Sequence, residues 1–365
     1  MPPISFIVGL FTTVATTAAL PVPQLGELHT FKDWTVGCDN GGNCEAVSLV
    51  PDEGGASYED WDGPISIVRT GSSDDIFRIR VIFETKDMDR YKMIVDGDLV
   101  DTGPIVQGDY PIEIVGEDAK KVAKAIINGQ RLVVQGPMGE NITRISLAGS
   151  AAALRYIDQK QNRAGTETAL VAKGSRDFEP DSTEIPTIVI DQWKSATLVP
   201  DAGALVALVE GSTCKNNRYG LVEDQAYPLG KRGNKFRALV LISCGSGAYN
   251  FSSVPYIGEY IENGRATSGW TFRPAKFDRQ PTWGGEGGLP MLVNANWDEQ
   301  TQTLSSYAKG RGLGDCGNAQ NYIWDGEQFR MIDASAMDEC RGAYEWITIW
   351  RAKYRKMEAG TPAGK

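Results

Sequence analysis

Chemistry in this chain has few places to start: six cysteines, Cys38, Cys44, Cys214, Cys244, Cys316 and Cys340, and a single histidine, His29. The cysteines form an even set without C-x-x-C spacing. They therefore read as a disulfide framework and not as zinc ligands, which come in close pairs. Short closed loops form most readily, which favours sequential pairing: Cys38–Cys44, Cys214–Cys244 and Cys316–Cys340. Closing loops of about 7, 31 and 25 residues is worth about 2.4, 3.7 and 3.5 kcal/mol. Their sum, about 10 kcal/mol, is comparable to the net stability of a whole domain. His29 is expected to be exposed in a mobile N-terminal segment. Ser–His–Asp and Cys–His catalysis need an imidazole held beside the nucleophile, so neither is expected.

Other motifs carry a chemical and a plain reading. Ser306–Lys309 has the S-x-x-K spacing of penicillin-interacting enzymes, but no S-D-N or K-T-G partner accompanies it, and the stretch reads as a strand. Gly245-Ser246-Gly247 lacks the frame of a nucleophile elbow and reads as a turn. Asp96-Gly97-Asp98 and the Asp87/Asp89 pair suggest calcium, yet no EF-hand register exists, and hairpin turns explain them. Paired carboxylates hydrolyse glycosidic bonds without histidine. Acids do sit beside aromatics at Tyr58–Asp62 and Trp297–Glu299, although acidic turns are the default in a chain with 47 acids. The glycines of Arg311–Gly317 let backbone come close to something, and Arg311 with Asp315 either pair or meet a ligand. A tight turn around a disulfide is the plain reading. The loop Arg273–Pro290 is long for a hairpin and holds Trp283 among glycines, as binding loops often do. The candidate binding residues are thus Trp283, Arg273, Arg311 and Asp315, with no catalytic residue, metal or cofactor expected. Trp34 should cover the Cys38–Cys44 loop, and Trp346 and Trp350 should share a core face.

The elements that must position these residues are mostly strands. Phe77, Ile79, Val81 and Phe83 alternate with Arg78 and Arg80, a strand with one buried side. Further strands are expected at 65–69, 91–95, 112–115, 132–134 and 142–147, with Asp96-Gly97 as a hairpin turn. Two helices interrupt them: 118–128, with Gly129 as a left-handed stop, and 150–162, with Ser150 as N-cap. Asp201 should cap a short helix through Val209. Beyond it, short strands are expected at 236–243, 249–254, 271–273, 291–297, 303–309, 322–324, 329–332 and 346–352. Asn318–Gln320 and Asp325-Gly326 are expected to punctuate them. The chain therefore reads as mainly β, a β-rich α+β protein of two antiparallel sandwich or meander domains with a few short helices. The expected divisions are a signal peptide at 1–19, an N-terminal domain at 28–173, a linker at 174–186, a C-terminal domain at 187–355 and a flexible tail at 356–365.

The leader is an uncharged apolar run, Ile4–Ala19, ending in small residues, with cleavage expected after Ala18 or Ala19. It departs from the secretory pattern in having no Lys or Arg before the run. No other stretch is long enough to span a membrane. Export agrees with the cysteines, and a periplasmic or secreted location follows. The net charge of −10 disfavours nucleic acid. It suits a cationic protein partner or an envelope component.

Several blocks resemble a known family. Phe31–Cys38 reads FKDWTVGC and Cys44–Ala46 reads CEA. This opening resembles the invasion-associated locus B family of small secreted β-rich proteins. Taken with Leu154–Gly165 (LRYIDQKQNRAG), Thr168–Leu170, Gly310–Gly317 (GRGLGDCG), Trp324–Phe329 (WDGEQF) and Cys340–Gly342, the chain resembles a bacterial secreted family, domain of unknown function 1176. That resemblance implies a periplasmic two-domain protein and brings neither an activity nor catalytic residues. Residues and resemblance together suggest a non-enzymatic binding or envelope-interaction protein, one form being an inhibitor of an envelope-attacking enzyme. The alternatives are a histidine-independent carboxylate hydrolase acting on envelope glycans and a structural envelope component.

Overall fold

The computed structural model describes residues 22–52, 63–83, 91–105, 110–181, 184–191, 193–218, 222–262, 269–281, 283–284 and 288–357. The leader at 1–19, the acids and aromatics at 58–62, Asp87 with Asp89, and the tail from 358 onward lie outside these residues, as does the side chain of Trp283.

The described residues before 174 form ten strands and two helices: β1 (Leu28–Phe31), β2 (Trp34–Cys38), β3 (Cys44–Ser48), β4 (Ile65–Arg69), β5 (Phe77–Val81), β6 (Lys92–Val95), β7 (Asp98–Val100), β8 (Ile112–Val115), α1 (Gly116–Asn128), β9 (Arg131–Gln135), β10 (Asn141–Ser146) and α2 (Ser150–Lys160). They build an antiparallel six-stranded sheet, β1-β2-β3-β4-β5-β8, and a four-stranded sheet, β10-β9-β6-β7. The alternation expected around Phe77 is seen directly, with Phe77, Ile79 and Val81 fully buried. Asp96 and Gly97 both take positive φ, 52° and 99°, as a two-residue hairpin turn between β6 and β7 requires. One apolar core holds both sheets, α1 and α2 together, with Trp34, Phe77, Ile79 and Leu154 at its centre.

Two helix ends correct the sequence reading. Gly129 is extended, with φ −91°. A Cβ there would collide with Val95 and Leu147, so close packing explains this glycine. The N-cap of α2 is Gly149, at φ 100°, and not Ser150. Ser150 begins the helix and donates its hydroxyl to Ile126 O.

The rest comprises β11 (Thr187–Ile190), α3 (Ala202–Glu210), a 3₁₀ turn at Thr213–Asn216, β12 (Gln225–Arg232), β13 (Lys235–Ser246), β14 (Phe251–Ile261), β15 (Thr271–Pro274), β16 (Trp283–Gly284), β17 (Pro290–Val293), β18 (Asn296–Asp298), β19 (Thr303–Lys309), β20 (Gly317–Trp324), β21 (Phe329–Met337), β22 (Ile347–Arg351) and β23 (Lys353–Lys356). One sheet runs β12-β13-β14-β17-β16 with β15 on β14, and a five-stranded meander runs β18 to β22. A parallel pair, β11 with β23, ties the start of this half to its end. The protein is thus β-rich, with three α-helices among the described residues. As expected, Asp201 caps α3 by accepting from Ala204 N at 2.8 Å. Contrary to expectation, Asn318–Gln320 lie inside β20, because β19 and β21 pair with both its edges and override their turn preference.

The two halves share a core. Val47 of β3 and Leu49 just after it pack with Leu292, Trp297, Phe329 and Trp350. Two arginines fasten the junction. Arg341 donates to Val50 O at 2.7 Å, to Lys32 O at 2.9 Å and to Asp33 Oδ1 at 2.6 Å. Arg351 meets Asp39 at 3.0 Å, and Asn40 exchanges two hydrogen bonds with its backbone. The cystines join Cys38 to Cys44, Cys214 to Cys244 and Cys316 to Cys340. Among the described residues no helix is long and apolar enough to cross a membrane.

Candidate binding surface

The segment Gly310–Gly317 joins β19 to β20 and is held from within. Arg311 Nε donates to Asp315 Oδ1 at 2.7 Å, and a second guanidinium N–H meets Oδ2. Asp315 is fully buried, and its Oδ2 also accepts Gly342 N–H at 2.8 Å. Burial alone would raise this carboxyl, but Arg311 and the Gly342 N–H hold it below its ordinary range. The next residue, Cys316, carries the disulfide to Cys340. Arg311 and Asp315 therefore clamp their own loop.

Two asparagines lace the neighbouring strand ends to this loop. Asn294, between β17 and β18, donates to Asn250 Oδ1 at 3.1 Å and to Tyr307 O at 2.9 Å. Asn250 in turn donates to Lys309 O at 2.8 Å and accepts from Lys309 N at 3.1 Å. The braced frame leaves apolar groups outside. Tyr249 and Tyr307 are each 37% exposed, Tyr344 48% and Leu313 58%. Tyr307 stacks on Trp346, with centroids 4.6 Å apart and planes 9° apart. Tyr249 lies over Gly312, with its hydroxyl 3.5 Å from Gly310 O. Tyrosines held this way have few rotors to freeze and present both an apolar face and a hydroxyl, which suits recognition.

Arg273 does not join this patch. Arg273, on β15, pairs with Ile257 of β14 and reaches Glu327, 3.6 Å away. Ile257 lies about 20 Å along β14 from Phe251, the strand end that follows Tyr249, at ~3.3 Å per residue. Trp283 pairs through its backbone with Met291 of β17. His29 is placed in β1, not in a loose segment, with its ring 4.7 Å from Tyr156. Trp34 is fully buried and donates to Ser146 O at 2.9 Å. Trp350 is in the core, while Trp346 lies just before β22 and backs the patch. Ser306 spends its hydroxyl on Val293, receiving the N–H at 3.0 Å.

Two charged clusters escaped the sequence reading because their members are far apart in the chain. In the first, Arg69 and Asp158 are fully buried and meet at 3.2 Å, although 89 residues separate them. Asp75 accepts from Arg69 at 2.8 Å and lies 3.2 Å from Arg163 and 3.0 Å from Lys120. Asp158 also caps the backbone at Leu170 and Val171, both at 2.8 Å. The second lies on the face of the six-stranded sheet turned away from its own core, toward the other half. Glu345 accepts from the Tyr110 hydroxyl at 3.2 Å, the Arg80 guanidinium covers the Tyr110 ring at 4.5 Å, and Glu45 accepts from Ser66. Burial pushes Glu45 and Glu345 above their ordinary range, with Glu345 adding to the rise at Glu45. Burial first, and Glu345 second, push the Tyr110 phenol to about 12. Among the described residues no group of His, Cys, Asp or Glu is arranged to hold a metal ion.

Fold and surface together define a cystine-braced, β-rich protein with exposed tyrosines beside a loop that is held by an ion pair and a disulfide. The chain belongs to the family described as protein of unknown function (DUF1176), whose model matches residues 28–353. The match spans both halves, so the family's unit is the whole assembly of sheets. The chain is also similar to the uncharacterised protein YpfG of Escherichia coli (strain K12), at 26% identity over 94% of this chain and 98% of that protein. No solved structure matches.

Proposed function

We propose that the protein is a non-enzymatic, extracytoplasmic binding protein of the cell envelope, with its contact surface at Tyr249, Tyr307, Leu313 and Tyr344. One observation carries this reading: the Arg311–Asp315 clamp and the Cys316–Cys340 bridge stiffen a loop whose neighbours expose rings to solvent. Three cystines and the lack of a membrane-crossing helix among the described residues are compatible with life outside the cytosol. The excess of acids suits a basic partner such as a lytic enzyme acting on the envelope, and inhibition of such an enzyme is one form the activity takes.

The test is retention of the oxidised protein on purified envelope glycans and on immobilised basic envelope enzymes. Wild type should be retained, and the Tyr307→Ser/Leu313→Ser double variant should bind at least tenfold more weakly with an unchanged circular dichroism spectrum. Equal retention of both would overturn the assignment of this surface.

A hydrolase is the second reading, favoured by Glu45 and Glu345. Glycoside hydrolysis pairs a carboxyl that holds its proton with a second, ionised one, and burial raises Glu345, which also accepts from the Tyr110 hydroxyl. Saturable turnover of a glycan, lost in Glu345→Gln, would establish it.

A further inference from the structure

Strand β23 (Lys353–Lys356) is open along one side. It leaves the meander after Ala352, whose N–H still donates to Ile332 O at 2.8 Å. From there it pairs in parallel with β11 and with no other strand among the described residues. Lys353 N–H donates to Pro186 O at 2.8 Å, and Met357 N–H to Ile190 O at 3.0 Å. Successive residues of a strand turn their backbone groups to opposite edges, so the N–H and C=O of Tyr354 and Lys356 point away from β11. Among the described residues these groups meet no hydrogen-bonding partner. All four residues of the strand are exposed. An edge of this kind is a template for a further strand.

The side chains select what adds there. Lys353, Arg355 and Lys356 concentrate positive charge on one short strand of a chain whose net charge is −10. None of the three pairs with a carboxylate among the described residues. Their neighbours differ: Arg351, just before the strand, is matched by Asp39, and Asp191, just after β11, by Arg232. Lys353 and Arg355 share the outer face of the pair with exposed Thr187 and Val189, while Ile188 and Ile190 turn inward. Such charges repel a second basic edge, so two copies of β23 do not pair with each other. The same charges favour a strand that carries acids. Backbone bonds along the edge then give affinity, and the charges give specificity.

We propose that the open edge of β23 takes an extended acidic segment of a partner protein as an added strand. The segment's backbone bonds the N–H and C=O of Tyr354 and Lys356. Carboxylates two residues apart on it meet Lys353 and Arg355. The strand shares no residue with the aromatic patch, so the site is independent of the function assigned to that patch.

Fluorescence anisotropy of a labelled peptide of alternating Thr and Glu, titrated with the oxidised full chain at low salt, tests the proposal. Saturable binding is expected, and none to the same peptide with Lys in place of Glu. Tyr354→Pro removes an outward N–H and sets a ring at the open edge, yet keeps the three charges and the bonds to β11. It should bind about tenfold more weakly, as should Lys353→Gln/Arg355→Gln. Tyr354→Thr controls for the lost phenol and should bind like wild type. These residues are exposed, so the variants should fold, which circular dichroism checks. Amide exchange gives the direct sign: Tyr354 and Lys356 should slow when the peptide binds, whereas Lys353 is slow already. Absence of saturation in wild type overturns the proposal. So does a Tyr354→Pro variant that binds like wild type, because charge alone then attracts the peptide. Displacement of the peptide by phosphatidylglycerol vesicles would assign the charges to a membrane surface and likewise overturn it.

Discussion

The two buried charge clusters are built from the same side chains and do different work. Around Asp158 the charges match: Arg69, Arg163 and Lys120 face Asp75, Asp158 and Glu117, and the oxygens of Asp158 also take backbone N–H groups. There the Asp75 carboxyl is pulled below its ordinary range by Arg69, Lys120 and Arg163, against the opposing effect of burial. Burial and the neighbouring Arg69 lower Arg163 to about 10. Around Glu345 acids are in excess. Glu45, Glu113 and Glu345 share Arg80, which lies 3.5 Å from Glu113. The first cluster locks one half internally, whereas the second sits where the two halves touch. Matching makes a charge cluster a fastener; an unmatched acid makes it responsive to protons.

The sharpest way to break this comparison is to unbalance the matched cluster. Asp158→Ala leaves Asp75 as the carboxylate partner of buried Arg69 and strips the backbone N–H groups of Leu170, Val171 and Ala172 of their acceptor. Loss of one partner from a buried pair costs about 3–5 kcal/mol, which urea unfolding would measure. A loss below about 1 kcal/mol would mean that water or rearrangement already compensates these charges, and the two clusters would then not differ in kind.

The acid-rich junction predicts a dependence on pH. A carboxyl whose folded value lies above its unfolded one binds more protons when folded, so stability falls as pH rises through the interval between them. For Glu45 and Glu345 that interval begins at the ordinary value of 4.5 and extends upward. Asp75 works the other way: its contribution is present above 3.8 and is lost as pH falls below it. Melting temperature should therefore decline from pH 5 towards neutrality, and Glu345→Gln should flatten the decline. A wild-type profile that is level over this interval, or an unchanged slope in the variant, would refute the assignment.

This contrast explains what the sequence made legible. Alternation at Phe77–Val81 and the Asp96-Gly97 turn are local signals, and the strands they imply are present. Asn318–Gln320 carried a local turn signal that pairing with two neighbouring strands overrode. The charge clusters and the aromatic patch carry no local signal. Tyr249 and Tyr307 come to the same loop because Asn294 bonds the backbone oxygens of both and their rings border Gly312 and Gly314. The Gly310–Gly317 segment did stand out by composition, and it is the frame of that patch. Its Arg311 and Asp315 look inward to each other, so the outward-facing residues had to come from elsewhere in the chain.

The smallest expected effect calibrates the two large ones. Asp201 is exposed, belongs to neither cluster and makes one charge-assisted bond, from Ala204 N to its carboxylate at 2.8 Å. Asp201→Ala should cost about 1 kcal/mol, the usual worth of an N-cap. Asp201→Asn retains an oxygen acceptor and should recover most of that loss. Helix α3 packs against the small core around Cys214, Cys244 and Val240, so the loss should show as earlier fraying of this helix in hydrogen exchange. If Asp201→Ala costs as much as Asp158→Ala, burial is not what separates the matched cluster from an ordinary surface bond. A cost well below that of Asp158→Ala places the difference in desolvated charge.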